Sequence, residues 1–274
     1  SIKKRGIHLT LLNARITKKS FNRWSIIKKF SHSTFSLIDK AYSQNTETNY
    51  FLKKLKVKKI TSIGNLKFIK HDNFETNQAD KKLFSQFRKY KTFVAASTHN
   101  TEELFAAKTH ILLKKKIKNI ITIIIPRHIN RIDQIISQIN ELGLNAISRR
   151  SNKKKLDNID IYLVDTFGES KKFYKFATTV FLGGSIINRG GQNPLEPARF
   201  GAKILHGPNI DNFRDVYKYL SQLKISSSIN TPQQCANSII FKKNMKKAKK
   251  MKYLGTTILK KTLNELDKSI HNEI

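Results

Sequence analysis

The stretch T-V-F-L-G-G-S-I-I-N-R-G-G-Q-N-P-L-E-P, residues 179–197, predicts a buried strand, a glycine-rich turn and a helix start in direct succession. Asn193, Pro194 and Glu196 fall at the cap, first and third helical positions, where they offer a side-chain cap, a preset φ angle and a reciprocal carboxylate. Capping alone explains Asn193 and Glu196. The alternative is an anion site, in which free N–H groups of the helix start face a phosphate and Glu196 holds sugar hydroxyls. The two interpretations are compatible.

Apolar strands and amphipathic segments alternate on both sides of this stretch. Continuous apolar strands separated by helices favour a parallel sheet that is covered on both faces. We predict strands at residues 92–96, 120–125, 145–148, 159–164, 179–182 and 203–205. Helical patterns fall between them at residues 101–116, 129–142, 169–177, 194–200 and 213–223. Residues 91–240 are therefore predicted to form a complete doubly wound, Rossmann-like domain of the α/β class.

The rest of the chain divides into three shorter segments. Three apolar runs predict strands within residues 1–70, which look like the tail of a second Rossmann-like domain; the runs are residues 7–12, 37–43 and 57–63. The polar residues 71–90 are predicted to be a linker. Residues 241–274 are predicted to hold a basic amphipathic helix with one apolar stripe. We expect that stripe to dock on a core, although a basic amphipathic helix can instead lie on a membrane.

The chain is strongly basic, with 53 Lys and Arg against 19 Asp and Glu and a formal charge of +34 at pH 7. Three interpretations are open: nucleic-acid binding, contact with an anionic membrane surface, or a coding bias toward Lys that decorates an ordinary surface. Cys235 is the one cysteine, so no disulfide can form within the chain. No apolar run is long enough to predict a membrane-spanning helix. The histidines are scattered, and this predicts no metal site.

Polar residues follow other predicted strands as well. In P-R-H, residues 126–128, Arg127 can fork onto a phosphate and His128 can donate to an oxyanion. A surface arginine and a helix-capping histidine are the plain alternatives. D-T-F-G-E, residues 165–169, ends in Glu169, which would complement the dipole of the next helix.

The segment A-A-S-T-H-N-T-E-E, residues 95–103, places Ser97 at a further strand end and offers Asn100 and Glu103 as a capping pair. Ser97 and His99 do not make a nucleophile motif, because no strand-turn-helix elbow supports them. In a parallel sheet, these loops and the glycine-rich turn meet at one edge. Their convergence predicts a nucleotide pocket at that edge.

Eight motifs follow one another in a recognisable order. They are N-A-R-I-T (13–17), G-N-L-K-F (64–68), A-A-S-T-H (95–99), P-R-H (126–128), D-T-F-G-E (165–169), G-G-S (183–185), G-G-Q-N-P-L-E-P (190–197) and H-G-P-N-I-D-N-F (206–213). This order resembles the bacterial Kdo transferases, glycosyltransferases that add 3-deoxy-D-manno-octulosonic acid (Kdo) from CMP-Kdo to lipid A precursors. The resemblance covers residues 5–223, and N-P-L-E-P in its glycine-rich context is specific. It implies a GT-B architecture of two Rossmann-like domains with the active site in the cleft.

The resemblance also implies site residues. The C-terminal domain of this family binds CMP-Kdo, which assigns the donor to residues 91–240. Arg127 is expected near the CMP phosphate, and Asn193 with Glu196 near the nucleotide or its ribose. The same pocket is expected to be lined by Ser97, His128, Gly168, Glu169, Gly183 and Ser185. The family's catalytic base is an acidic residue of an early N-terminal loop that these residues do not include.

The partners implied are CMP-Kdo, a phosphorylated lipid A precursor and an anionic membrane surface, at the cytoplasmic face of the bacterial inner membrane, where the chain is peripheral. No metal or other cofactor is expected. Nucleic acid is not expected, because the aromatic-plus-basic sheet motifs of common binding modules are lacking. The expected function is Kdo transfer in lipopolysaccharide biosynthesis, with no activity in these 274 residues alone for want of the base. The alternative is a non-catalytic remnant that binds CMP or anionic lipid.

Overall fold

The computed structural model describes residues 2–69, 78–151 and 155–271. The chain forms two compact units. Unit 1 comprises Ser1–His71 and Lys252–Ile274, and unit 2 comprises Asp72–Met251. The first part of the predicted linker, residues 71–77, lies outside the described residues.

Unit 1 contains a small parallel sheet with helices packed on it. Its elements are β1 (Thr10–Ala14), α1 (Lys18–Ile26), α2 (Lys28–Phe35), β2 (Lys40–Ser43), α3 (Thr46–Lys54) and β3 (Lys59–Ser62). The strands pair in the order β1-β2-β3. The buried cluster beneath the helices consists of Ala14, Ile16, Phe35, Ala41, Phe51, Leu52, Leu55 and Val57. The three strands predicted here are present, each shorter than its apolar run or shifted along it.

Unit 2 contains a seven-stranded parallel sheet with helices between its strands. Its first elements are α4 (Gln78–Phe87), β4 (Lys91–Thr98), α5 (Glu102–Lys114), β5 (Ile120–Pro126), α6 (Ile132–Asn140), β6 (Ala146–Ser148), β7 (Ile161–Leu163) and α7 (Ser170–Tyr174). The remainder are β8 (Thr179–Leu182), α8 (Leu195–Arg199), β9 (Lys203–His206), α9 (Arg214–Gln222), β10 (Ser226–Ser228) and α10 (Pro232–Ser238). The last helix, α11 (Met245–His271), begins in unit 2 and continues into unit 1 after Met251. The predicted doubly wound α/β sheet is confirmed.

The strand order β10-β9-β8-β4-β5-β7-β6 contains one topological switch point. The chain leaves β4 toward β5 on one side and returns from β7 to β8 on the other side of β4. Ligands of open α/β sheets bind beyond the carboxyl ends of the strands at such a point. β4 and β8 pair from Val94 with Val180 to Ala96 with Leu182, and all of these side chains are buried. The loops after β4 and β8 therefore start from a rigid platform.

The predicted linker over residues 71–90 is wrong for the part of it that forms α4. Phe84 and Phe87 lie one helical turn apart, and both rings contact aromatic rings of unit 2. The Phe84 ring meets that of Phe173 edge-on at 5.8 Å, and the Phe87 ring stacks on that of Phe176 at 5.5 Å. This aromatic packing buries Phe87 almost completely and makes α4 part of the domain.

The helix α11 lies within the predicted C-terminal segment, residues 241–274. The residues of α11 that belong to unit 1 dock on the small sheet. The Tyr42 hydroxyl donates a hydrogen bond to the carbonyl of Glu265 at 2.8 Å. Gly255 passes so close to the Phe68 carbonyl that a Cβ there would overlap it. Ile258 is buried, but Leu263 of the same stripe is half exposed at 50%. Docking thus uses part of the predicted stripe. Among the described helices, none is long and apolar enough to cross a membrane.

Candidate functional site

A buried carboxylate joins the two loops at the switch point. Glu102, the first residue of α5, is fully buried. Its two oxygens accept hydrogen bonds from four backbone N–H groups, those of His99 at 3.0 Å, Gly184 at 2.6 Å, Ser185 at 3.1 Å and Ile186 at 3.0 Å. Consecutive N–H groups that converge in this way form an anion-binding nest. Glu102 occupies this nest and fixes the loop after β8 to the loop after β4.

The glycine-rich loop, residues 183–192, is closed on itself and tied to the next loop. The Gly191 N–H donates to the Gly184 carbonyl at 2.8 Å. The Asn212 side chain donates to the Arg189 carbonyl at 3.0 Å, and its backbone N–H donates to that of Gly190 at the same distance. The loop backbone is thereby held, while the Arg189 side chain projects into solvent.

Positive charge gathers around His99 beside this loop. The rings of His99 and His128 meet edge to face, with centroids 5.5 Å apart. Burial lowers the pKa of the His99 imidazole; the Glu102 carboxylate opposes that effect, and the charges of His128, Arg189 and Arg127 lower the pKa further. The Nε2 atom of His99 is buried and has no hydrogen-bond partner among the described residues. A buried nitrogen without a partner beside two arginines is a feature that a polar, anionic ligand would satisfy.

The loop after β5 is anchored through its backbone. The Arg127 N–H donates to the Thr98 carbonyl at 2.8 Å, which extends the ladder between β4 and β5 by one bond. The side chains of Arg127 and His128 are exposed. The predicted Arg127 and His128 therefore lie at the switch point, next to the loop that follows β4.

Two backbone conformations near His99 are strained. Ser97 has a φ of +54° and Thr101 a φ of +78°. Left-handed backbone is unusual for any residue with a side chain and is an outlier for a β-branched one. Such strain concentrates at functional sites and costs roughly 1–3 kcal/mol per residue. Here it turns the chain sharply twice within five residues, so that His99 faces the glycine-rich loop.

Two of the predicted lining residues serve the fold. Ser185 is fully buried; its hydroxyl donates to the Leu182 carbonyl and accepts from the Gly207 N–H. Gly183 has no room for a side chain, because a Cβ would lie 2.6 Å from the Thr98 Cα and 2.7 Å from Glu102 Oε2. The Ser185 hydroxyl is thus used within the fold, and the contribution of Ser185 to the lining of the pocket stays a prediction.

Glu169 is likewise engaged in internal contacts, as a member of an ion cluster that includes Arg149, the residue after β6. Arg149 and Lys172 each bridge Glu169 to Asp80; Lys172 Nζ lies 2.9 Å from Glu169 Oε1 and 2.8 Å from Asp80 Oδ2. Hydrogen bonds and these cations hold the pKa of Glu169 below its usual value, against the effect of burial. The Glu169 carboxylate is engaged within this cluster, and its role in substrate binding stays a prediction. Gly168 has a φ of +76° and is open to solvent.

The helix α8 starts one residue later than its sequence predicts, with Pro194 as the N-cap and Leu195 as the first helical residue. Asn193 Oδ1 accepts the Leu195 N–H at 3.1 Å. Glu196 lies 3.9 Å from Lys171 Nζ, and its side chain is 38% exposed. The Asn193 side chain thus satisfies the first N–H of α8 from the residue before the N-cap, whereas Glu196 keeps an accessible carboxylate.

Sequence reasoning missed the residue that organises the site. It assigned a capping pair to Asn100 and Glu103, but the carboxylate that caps the loop belongs to Glu102. Glu103 is buried and lies 3.4 Å from Arg131 NH1, and Asn100 accepts from Arg131 NH2 at 2.9 Å. The sequence did offer one indication of this role, the adjacent glutamates Glu102 and Glu103 at the start of α5. A capping box uses one carboxylate, so the second is free for another contact.

A parallel, doubly wound unit with its site at a switch point, preceded by a second parallel α/β unit, is the fold of GT-B glycosyltransferases. The solved structure of the trehalose-6-phosphate synthase OtsA has a similar fold, with a TM-score of 0.55 at 9% identity over 99% of this chain and 68% of that chain. The C-terminal CMP-Kdo binding domain of WaaA from Acinetobacter baumannii has a TM-score of 0.52 at 21% identity over 67% of this chain and 97% of that domain.

Comparison of the sequence with known proteins points to one family of glycosyltransferases. A family model described as 3-deoxy-D-manno-octulosonic-acid transferase (kdotransferase) matches residues 1–70. The 3-deoxy-D-manno-octulosonic acid transferase of Rickettsia prowazekii is 31% identical over 92% of this chain and 54% of its own length. That of Haemophilus influenzae is 27% identical over 83% of this chain and 54% of its own length. By sequence, the chain is similar to Kdo transferases, and it spans about half the length of these curated relatives.

Proposed function

We propose that the chain supplies the donor-nucleotide site of a Kdo transferase, which transfers Kdo from CMP-Kdo to a phosphorylated lipid A precursor in lipopolysaccharide biosynthesis. The observation that carries the proposal is the pair of cations, Arg127 and Arg189, that lie with His128 around the half-buried His99 at the switch point. A nucleoside monophosphate sugar offers a phosphate to such a group. The names of the curated relatives support the same chemistry.

In this proposal the cations act on the departing nucleotide. Arg127 forks onto the CMP phosphate and stabilises the charge that develops there when the bond to Kdo breaks. The Glu196 carboxylate, at the start of α8, accepts hydrogen bonds from ribose hydroxyls. Transfer also requires a base that deprotonates the acceptor hydroxyl. Glu102 and Glu169 are engaged in internal contacts, so we assign proton transfer to neither of them.

The test of the donor site is CMP binding. We expect calorimetric titration to detect CMP binding to the chain, and Arg127→Ala to weaken it about tenfold or more, because a hydrogen bond to a charged group contributes about 1.5–3 kcal/mol. Excess EDTA is expected to leave the affinity unchanged, because protein side chains supply the positive charge.

The matched control for this measurement is Arg88→Ala. Arg88 is equally exposed but precedes β4, at the opposite edge of the sheet, so its removal changes the net charge without touching the site. Unchanged affinity in Arg127→Ala, or an equal loss in Arg88→Ala, would contradict the role proposed for Arg127.

We further propose that the chain binds peripherally to the anionic, cytoplasmic face of the bacterial inner membrane. In unit 1, the turn between α1 and α2 exposes Ile26 at 82%, Ile27 at 48% and Phe30 at 60%. Lys28 and Lys29 lie between these apolar side chains and are exposed. Apolar side chains flanked by lysines are suited to the interface of an anionic bilayer.

Association with anionic vesicles is expected to be salt-sensitive. The Debye length shortens from about 10 Å at 0.1 M salt to about 3 Å at 1 M, which screens attraction to the surface. Co-sedimentation should therefore fall sharply over this range, and a double Lys28→Gln, Lys29→Gln variant should bind roughly thirtyfold more weakly, since each lysine near the surface contributes about 1 kcal/mol.

A double Lys115→Gln, Lys116→Gln variant controls for charge alone, because this exposed pair lies in unit 2 and loses the same charge. An equal loss in both double variants would refute the location at the α1–α2 turn. Equal binding to neutral vesicles would refute the electrostatic contribution.

A further inference from the structure

A second cavity lies at the opposite, amino-terminal edge of the large sheet. It has a volume of about 170 Å³. We call it the Lys203 pocket; its lining residues include Lys203, Lys224, Ile225, Ile240, Asn244 and Lys247. Lys203 is the first residue of β9, whereas the site at the switch point lies beyond the last residues of β4 and β8. The pocket is therefore separate from the nucleotide site.

Three lysines line the pocket, and none of the lining residues is acidic. Two of the ammonium groups are held in place by backbone carbonyls. Lys203 Nζ donates to the Ser238 carbonyl at 2.9 Å, and Lys247 Nζ donates to the Lys224 carbonyl at 2.7 Å. Each ammonium has three donors, so each retains capacity for a ligand.

The positive charge of the Lys203 ammonium group is destabilised by its surroundings in this pocket. Its side chain is half buried, and burial together with the nearby charge of Lys247 lowers its pKa. A carbonyl partner satisfies a donor but does not neutralise a charge. An anion between the two ammonium groups would relieve both the desolvation and the mutual repulsion.

The other walls of the pocket are apolar. Ala198 and Ala202 are buried, Ile225 is 4% exposed, and Ile240 is 40% exposed. Asn244 is fixed by accepting the Lys247 N–H on its side chain at 3.0 Å. An apolar wall beside ammonium groups is suited to a molecule with an anionic head and a compact apolar body.

We propose that the Lys203 pocket binds a small amphiphilic anion, a phosphomonoester or a carboxylate carried on a compact apolar group. The ammonium groups of Lys203, Lys224 and Lys247 hold the anionic head, and the side chains of Ile225 and Ile240 cover the apolar body. This binding is independent of the nucleotide site, because its residues belong to the other edge of the sheet.

Phenyl phosphate, benzoate and inorganic phosphate are the probes, and methyl NMR of Ile225 and Ile240 is the measurement. We expect saturable shifts of both isoleucine methyls with phenyl phosphate or benzoate, and weaker binding of inorganic phosphate, which lacks the apolar body. The stronger of the two organic probes identifies the head group. Phenol, which lacks the anionic head, should leave the methyls unshifted. Shifts with phenol equal to those with phenyl phosphate would overturn the proposal.

Lys203→Met keeps the length of the side chain and removes its charge, and it should weaken phenyl phosphate binding about tenfold or more. Lys246→Met is the matched control, since Lys246 is the exposed neighbour of Lys247 and does not line the pocket. Arg127→Ala should leave phenyl phosphate binding unchanged. An equal loss in Lys246→Met, or no shift of either methyl in the unmodified chain, would overturn the proposal.

Discussion

Replacing Glu102 with alanine is expected to lower the free energy of unfolding by about 3–5 kcal/mol, which is the range for losing a partner of a buried, charged contact. The Glu102 carboxylate accepts hydrogen bonds from four backbone N–H groups, and its removal leaves these donors without an acceptor. CMP binding should fall with it, because the loop that carries Arg189 loses its anchor. Urea denaturation followed by fluorescence or circular dichroism measures the stability directly.

Glu103→Gln is the control for this result. Glu103 is the neighbouring buried glutamate, and burial raises the pKa of its carboxyl. Its one described ion pair, with Arg131 at 3.4 Å, is long. We expect that variant to lose less than about 1.5 kcal/mol, the value of an ordinary hydrogen bond. A loss in Glu102→Ala no larger than that in Glu103→Gln would show that the nest does not hold the loop.

Gly207→Ala is expected to be at least as damaging, with a loss of about 3 kcal/mol or more, because overpacking against backbone cannot be relieved by rotating a side chain. A Cβ on Gly207 would lie closer than 3.0 Å to the Ser185 carbonyl carbon and oxygen and to the Ile186 nitrogen. The Gly207 N–H also donates to the Ser185 hydroxyl at 2.8 Å, so the loops after β8 and β9 would separate.

Gly143→Ala separates this close approach from the general effect of losing a glycine. Gly143 has a φ of +74°, and no atom lies within 4 Å of the position that a Cβ would take, so only left-handed strain applies there. That strain costs about 1–2 kcal/mol. In thermal unfolding, the midpoint temperature of Gly207→Ala should lie well below that of Gly143→Ala. The reverse order would mean that the contact between the two loops is not essential.

The large sheet could be predicted from sequence because its strands are continuous apolar runs. β5 is buried at every position, and β4 at all but two. β10 was missed because its three residues are all serine and have no apolar signal. α4 was mistaken for linker because its charged residues hide two phenylalanines one turn apart. A local apolar pattern predicts a buried strand or helix only where the pattern extends over the whole element.

The candidate site was predictable in position but not in its internal contacts. Parallel strands place their following loops at one edge, so Arg127, His128 and the glycine-rich loop could be brought together from sequence. The contact of Glu102 with Ser185 spans 83 residues, and no local rule selects that partner. The same limit applies to Glu169, whose ion pair with Arg149 no local rule selects.

The docking of α11 on unit 1 has a consequence for how the protein is made. The hydrogen bond between Tyr42 and Glu265 joins residues 223 positions apart. At a synthesis rate of about 5–20 residues per second, the first strands leave the ribosome roughly 10 to 45 s before the helix that covers them. Unit 2 lies wholly within that interval and can fold first. The part of the small sheet that α11 covers therefore stays open during that interval, and chaperones that bind exposed strands have their longest access to it then.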